Sequence, residues 1–333
     1  MRRHLLYLVF FCCAILQRVA AQDPHFSQYF SSPLSFNPAL TGYFEGNSRF
    51  TANIRNQWAG IGDPYTTGTV SFESKILTRI VAPNDKWGWG MLALYDQAAG
   101  GVYRGTYLSL STGFSKGLDA EGEQSISVGV QATLARNTVD FDRISFGNQL
   151  TSGGYDLSIP SGESINNRSV HYADLNAGIL YNYKDENENQ LSIGASMYHI
   201  LRPALSFFSA GNQSVQRRYT IHASANLRVK ENDQLFFSAH LMQQAGATET
   251  VAGAAYGFGI GDADRYFYLG AWLRVKDAVY PYVGLQTDSW QAGISYDITS
   301  SDLQRKQHFT GSGEVSFLYF FNRTRGKGIP CFF

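Results

Sequence analysis

Apolar and small polar side chains alternate along most of this chain, segment after segment. In 219–229, Tyr219, Ile221, Ala223, Ala225, Leu227 and Val229 fall on one face, and Thr220, His222, Ser224, Asn226 and Arg228 on the other. In 172–183, Ala173, Leu175, Ala177, Ile179, Tyr181 and Tyr183 oppose Asp174, Asn176 and Gly178. In 125–135, Ile126, Val128, Val130, Ala132 and Leu134 oppose Ser127, Gly129, Gln131 and Thr133. A period of two marks a β-strand with two different faces. Similar runs occupy 48–57, 66–74, 87–95, 103–114, 190–199, 234–244, 249–258, 265–274, 280–286, 289–297 and 313–321, which makes fourteen strands. No segment carries the period and caps of an amphipathic helix.

Soluble sandwiches or propellers and a membrane barrel can both hold so many alternating strands. Three features favour an all-β, antiparallel up-and-down transmembrane barrel. The runs have the roughly 9–11 residues of a tilted membrane strand, against about 5–6 in soluble sheets. Their polar faces hold small residues with few charges, as a lumen would. Aromatics mark strand ends at Trp58, Tyr65, Trp87, Tyr95, Tyr198, Tyr219, Tyr280 and Tyr282, as interfacial girdles do. The gaps give a further test. The longest ones, 136–171, 200–217 and 298–312, all fall at one end of the strands, as the outer loops of a bacterial barrel do.

Composition removes other classes. Of 333 residues, 16% are charged and 14% aromatic, and 27 Lys and Arg balance 27 Asp and Glu. Disordered chains lack aromatics and carry excess charge. The balanced charge gives no sign of a nucleic-acid partner. Three Cys are too few for a disulfide scaffold.

Arg2, Arg3 and His4, an apolar run from Leu5 to Leu16, and Val19-Ala20-Ala21 read as a secretory signal peptide cut before Gln22. The rival, lipoprotein processing at Cys12 or Cys13, lacks the small preceding residue, since Phe11 stands there. Cleavage leaves 24 basic against 27 acidic residues, a net charge of −3, and Cys331 as the lone cysteine. The expected organisation is signal peptide 1–21, an N-terminal plug or mouth segment 22–47, a barrel over 48–321 and a periplasmic tail 322–333.

No G-x-S-x-G, H-E-x-x-H, C-x-x-C or P-loop occurs, so neither catalysis nor a cofactor nor a metal site is expected. Gly257–Asp262 lacks the spacing of a dinucleotide loop and reads as a turn. Lys184–Asn189 reads as a charged hairpin turn. His222 and His240 fall on polar strand faces, where they could line a lumen.

The mature start carries Gln22-Asp23-Pro24-His25-Phe26-Ser27-Gln28-Tyr29, Pro33-Leu34, Asn37-Pro38-Ala39, Arg55-Asn56-Gln57-Trp58, Gly60-Ile61-Gly62, Pro64 and Thr66-Thr67. Later come Asp174–Tyr181, Ile193-Gly194, His199–Pro203, Arg265-Tyr266-Phe267, Leu269–Arg274, Asp277-Ala278, Val283-Gly284-Leu285, Ser295–Ser300 with Leu303, Glu314-Val315-Ser316 and Ile329-Pro330-Cys331 before Phe333. This ordered set resembles the PorP/SprF family of type IX secretion and gliding-motility outer-membrane proteins of Bacteroidetes. It departs at Phe332, where the family usually has Pro. The resemblance implies an outer-membrane barrel that helps export or anchor specific cargo, such as gliding adhesins with a C-terminal sorting domain. It also implies secretion-system and periplasmic partner proteins, with outer-membrane lipids around the barrel. A channel for small or hydrophobic molecules is the alternative, and an outer-membrane hydrolase a third.

Physical roles can be assigned to the motif residues. Residues 22–47 are too apolar to float freely, so Phe26, Tyr29, Phe36, Asn37 and Pro38 are candidate plug or partner contacts. Arg55, Arg202 and Arg274, paired with acids such as Asp174 or Asp297, are candidate lumen braces; the rival placement is at lipid headgroups. Pro330, Cys331 and Phe333 are candidates for periplasmic docking, or else part of a barrel-assembly signal.

Overall fold

The computed structural model describes residues 22–58, 63–165, 167–208, 211–230, 232–261, 265–300 and 311–322. The expected signal peptide and the tail residues Pro330, Cys331 and Phe333 lie outside the described residues.

Fourteen strands close into one antiparallel barrel, each paired with its sequence neighbours and the last with the first. They are β1 (Ser48–Gln57), β2 (Tyr65–Ile76), β3 (Lys86–Ala98), β4 (Tyr103–Gly117), β5 (Gln124–Val139), β8 (Ser169–Lys184), β9 (Gln190–Tyr198), β10 (Arg218–Arg228), β11 (Gln234–Gln244), β12 (Ala247–Gly259), β13 (Tyr266–Arg274), β14 (Ala278–Gln286), β15 (Trp290–Thr299) and β16 (Ser312–Phe321). A small hairpin, β6 (Leu150–Thr151) with β7 (Gly154–Tyr155), sits within the connection from β5 to β8. Closure is what a membrane demands, because lipid satisfies no open strand edge. Among the described residues no helix is long and apolar enough to cross a membrane.

The connections 140–168, 199–217 and 300–311 all leave the same end of the barrel, and the short turns after β8, β10 and β14 leave the other. By the rule for bacterial barrels, the long-connection end is the outer one. The strands agree with the period-two reading to within a few residues. β5 and β8 run further, to sixteen residues each. At their outer ends the outward face turns polar (Arg136, Thr138, Ser169 and His171), so the apolar-outward alternation fades there before pairing does.

The outward face is apolar, with Leu108, Leu110, Leu134, Ile221 and Ile294 among its exposed side chains. The girdle reading needs correction. Trp58, Tyr65, Trp87, Tyr95 and Tyr219 do point outward, but Tyr198, Tyr280 and Tyr282 are buried in the lumen, the last two at 1% exposure. On β13 and β14 both faces are apolar, so alternation does not say which faces lipid. The lumen is correspondingly less uniform than small polar residues imply. Phe236, Tyr268, Trp272, Tyr280 and Tyr282 form an aromatic wall on β11–β14. Charged pairs stand at both ends of the lumen.

Candidate functional site

Residues 23–44 pass through the lumen from the long-connection end to the other. The segment has little regular structure of its own. Its single-turn 3₁₀ helices, Tyr29–Ser31, Pro33–Ser35 and Pro38–Leu40, are set partly by Pro33 and Pro38 at the first helical position. Proline fits there because that N–H needs no partner. Asn37 caps the third turn, its side chain accepting from Ala39 N at 2.9 Å.

At the entrance Asp23 N–H donates to Gln244 Oε1 (2.8 Å), and the Asp23 carboxylate meets His199 Nε2 (2.7 Å) and Arg218 Nη1 (3.3 Å). The other ring nitrogen of His199 contacts Asp174. Burial alone would lower the His199 pKa, but the charge of Asp23 and the hydrogen bonds of Asp174 and Asp23 outweigh it and raise it to about 9. Burial opposes ionisation of Asp23 too, and His199 and Arg218 overcome it, so its carboxyl lies well below the usual range.

One turn deeper the chain crosses a charged brace. Arg55 Nη2 and Arg274 Nη1 both reach Asp297 Oδ2, at 2.8 and 3.0 Å. Ser27 Oγ sits between them, donating to Asp297 Oδ1 at 2.8 Å and accepting from Arg274 Nη2 at 2.8 Å. Glu314 accepts the backbone N–H groups of Ser27 (2.7 Å) and Gln28 (2.9 Å) on its two oxygens. Arg55 Nη1 donates to His25 O at 2.7 Å. Glu249 holds His25, His240 and Arg274 at 2.9, 3.1 and 3.2 Å. Buried charges are tolerated only when paired and hydrogen-bonded, and here strands β1, β12, β13, β15 and β16 pair through the segment.

Next comes the aromatic wall. Phe30 packs on Trp272 and Tyr282 with ring centroids 5.2 and 5.5 Å apart. Tyr29 donates to Ser238 Oγ at 2.6 Å and touches the His240 ring. Phe36 packs on His222 and His240. Burying one such side chain contributes about 1.5–3 kcal/mol.

Beyond it lies a shelf of glycines. Gly88, Gly113, Gly129 and Gly178 are direct cross-strand partners on β3, β4, β5 and β8, a single row across four strands. A Cβ at any of them would come within 1.9–2.6 Å of Asn37, Pro38, Thr41 or Gly42. The backbone of 37–42 therefore lies directly on the wall. Asn37 Nδ2 reaches Ile179 O (3.2 Å) and His222 Nε2 (2.9 Å). At the exit Gly42 N–H donates to Glu73 Oε2 (3.1 Å), Glu73 pairs with Arg49 (2.7 Å), and Phe44 packs on Leu318 and Phe320.

The sequence-derived candidates thus fall in different places. Tyr29, Phe36, Asn37 and Pro38 lie in the lumen against the wall, and Phe26 is buried beside the charged brace. Arg55, Arg274 and Asp297 meet in one cluster, while Asp174 meets His199 instead of an arginine. Arg202, expected among the braces, stands exposed on the 199–217 connection, where it donates to Gln216 at 3.3 Å. It falls outside because pairing on that side ends at Tyr198 and the chain turns out of the wall. Sequence reasoning missed Glu73, Glu249, His199 and the glycine row. Acids at inward positions of strands in a chain so poor in charge are the signal that finds the first two.

A cavity of about 60 Å³ lies beside Asp23, Tyr107, Gln131, Asn176, Tyr198 and Arg218. Among the described residues no group of three His, Cys, Asp or Glu could hold a metal ion.

The fold is similar to that of solved outer-membrane barrels. The P. putida toluene transporter TodX shares 9% identity at a TM-score of 0.51, covering 86% of this chain and 93% of its own. A Pseudomonas aeruginosa FadL homologue shares 10% identity at 0.49, covering 86% and 93%. None of the curated proteins matches the chain in sequence. The family model of the type IX secretion system membrane protein PorP/SprF matches residues 18–319. A closed barrel with an apolar outer belt and this family match place the protein in the outer membrane: the chain belongs to the PorP/SprF family of type IX secretion membrane proteins.

Proposed function

We propose that this secretion-system membrane protein supports the export or surface anchoring of particular cargo bearing a C-terminal sorting domain, such as a gliding adhesin. Partner proteins on the periplasmic side would work with it. The observation that carries this reading is the occupied lumen. Residues 23–44 are almost wholly buried, and the cavity of about 60 Å³ beside Asp23 is room for only a few waters. A barrel filled by its own chain is suited to hold and present, with its loops and rims, more than to let solutes through.

The second reading is a channel for small or hydrophobic molecules. It draws on the cavity at the outer mouth and on the barrel's likeness to a toluene transporter. A deletion strain separates the two. Loss of one adhesin-like protein from the secreted and surface proteome supports the first reading. Normal secretion with defective uptake of a nutrient overturns it.

A further inference from the structure

At the long-connection end, the outward face of β3, β4, β5 and β8 changes character between two adjacent cross-strand rows. The row Ala93, Leu108, Leu134 and Ala173 is wholly apolar. The next row outward is Tyr95, Thr106, Arg136 and His171, and the one after it Gln97, Arg104, Thr138 and Ser169. These two rows hold two arginines and a histidine, all three exposed, with hydroxyl and amide groups between them and no carboxylate. Arg136 and His171 are direct cross-strand partners, and Arg104 is the diagonal neighbour of Arg136. Side chains so related stand about 5–8 Å apart.

Their hydrogen-bonding capacity is largely unspent. Arg136 donates only to Ser169 Oγ, at 3.4 Å, and Arg104 has no partner among the described residues. Within the strands the feature is one-sided; the exposed Arg217, just before β10, spends its donors on Ile200 O. On β10, β11, β13, β14, β15 and β1 the outward positions nearest this end are Tyr219, Gln243, Leu273, Val279, Ile298 and Asn56, none of them cationic.

An apolar belt that meets a cationic, donor-rich row marks the depth where acyl chains give way to headgroups. Arginine matches phosphate with a planar fork of donors, and its aliphatic stem can lie along the belt while its head reaches outward. We propose that Arg104, Arg136 and His171 form a docking site for the phosphate of a membrane lipid in the leaflet at the long-connection end. The exposed Leu108, Leu110 and Leu134 beneath them seat the acyl chains of the same molecule.

The test is lipid retention. The barrel is equilibrated with vesicles of equal parts phosphatidylglycerol and phosphatidylcholine, re-extracted, and its bound lipids weighed by native mass spectrometry. Wild type keeps phosphatidylglycerol in preference. Each arginine near an anionic surface contributes about fivefold, so R104Q/R136Q lowers the preference about 25-fold. K230Q/R265Q, which removes the same charge from the opposite end, leaves it unchanged. A wild-type preference in R104Q/R136Q, or an equal loss in K230Q/R265Q, overturns the proposal. Complete displacement of the lipid by millimolar inorganic phosphate assigns the site to a soluble anion and overturns it as well. Each variant is first verified as folded by its gel shift on boiling. Should the double variant not assemble, R104Q alone carries the same comparison with about a fivefold loss.

Discussion

The carbonyl oxygen of Pro38 lies 2.1 Å from where a Cβ at residue 129 would stand, so Pro38 meets Gly129 only because that residue has no side chain. The contact joins the two parts of the protein, lumen segment and wall, with no space between them. Gly129→Leu forces either the segment or the strand to move, at a cost of about 1–3 kcal/mol or more. Limited proteolysis of the reconstituted barrel should then release cuts within 22–47 that wild type resists. Gly147→Ala, where nothing lies within 4 Å, should behave as wild type. Resistance in G129L equal to wild type would contradict the account.

Asp297 is the shared acceptor of Arg55 and Arg274. Asp297→Asn leaves two buried guanidinium groups short of a counter-charge. Removing one partner of a buried pair costs about 3–5 kcal/mol. The urea midpoint of the vesicle-embedded barrel should fall accordingly. Arg202→Gln, at an exposed loop position, should leave it within about 0.5 kcal/mol.

The Asp23–His199 contact makes docking of the segment's start pH-dependent. The His199 pKa is raised in the folded state from 6.5 to about 9. Its contribution is therefore complete below about 6.5 and is lost as pH rises through about 9. Asp23, whose folded pKa is lowered, contributes above its ordinary 3.8 and weakens only on strong acidification. A probe at residue 22 should gain mobility between pH 7 and 10 in wild type. In His199→Asn the mobility should be high throughout, with no such transition. An unchanged profile in that variant would remove the contact from the account.

Much of this architecture was legible in the sequence, for identifiable reasons. Strand positions follow from alternation, which lipid outside and a polar lumen inside enforce on β1, β5 and β10 alike. The placement of Tyr280 and Tyr282 does not follow, because β13 and β14 are apolar on both faces. The pairing of Asp297 with Arg55 and Arg274 was within reach, since charges on membrane strands must find partners. The glycine row was not. Gly88, Gly113, Gly129 and Gly178 are scattered in sequence, and only the strand registers bring them level.

The segment's direction has its own consequence. Gln22 is exposed at the long-connection end, beside Asp23, whereas Ser48 begins β1 at the other. A short epitope inserted between Gln22 and Asp23 should bind its antibody on intact cells. Binding only after the outer membrane is breached would place that end inside.

The central claim is that residues 23–44 close the barrel. Single-channel recording of the purified protein in a planar bilayer tests it most directly. Wild type should be silent, and deletion of 22–40 should open a steady ion-conducting pore in a barrel that still shifts on boiling. Equal conductance from the two proteins would contradict the account.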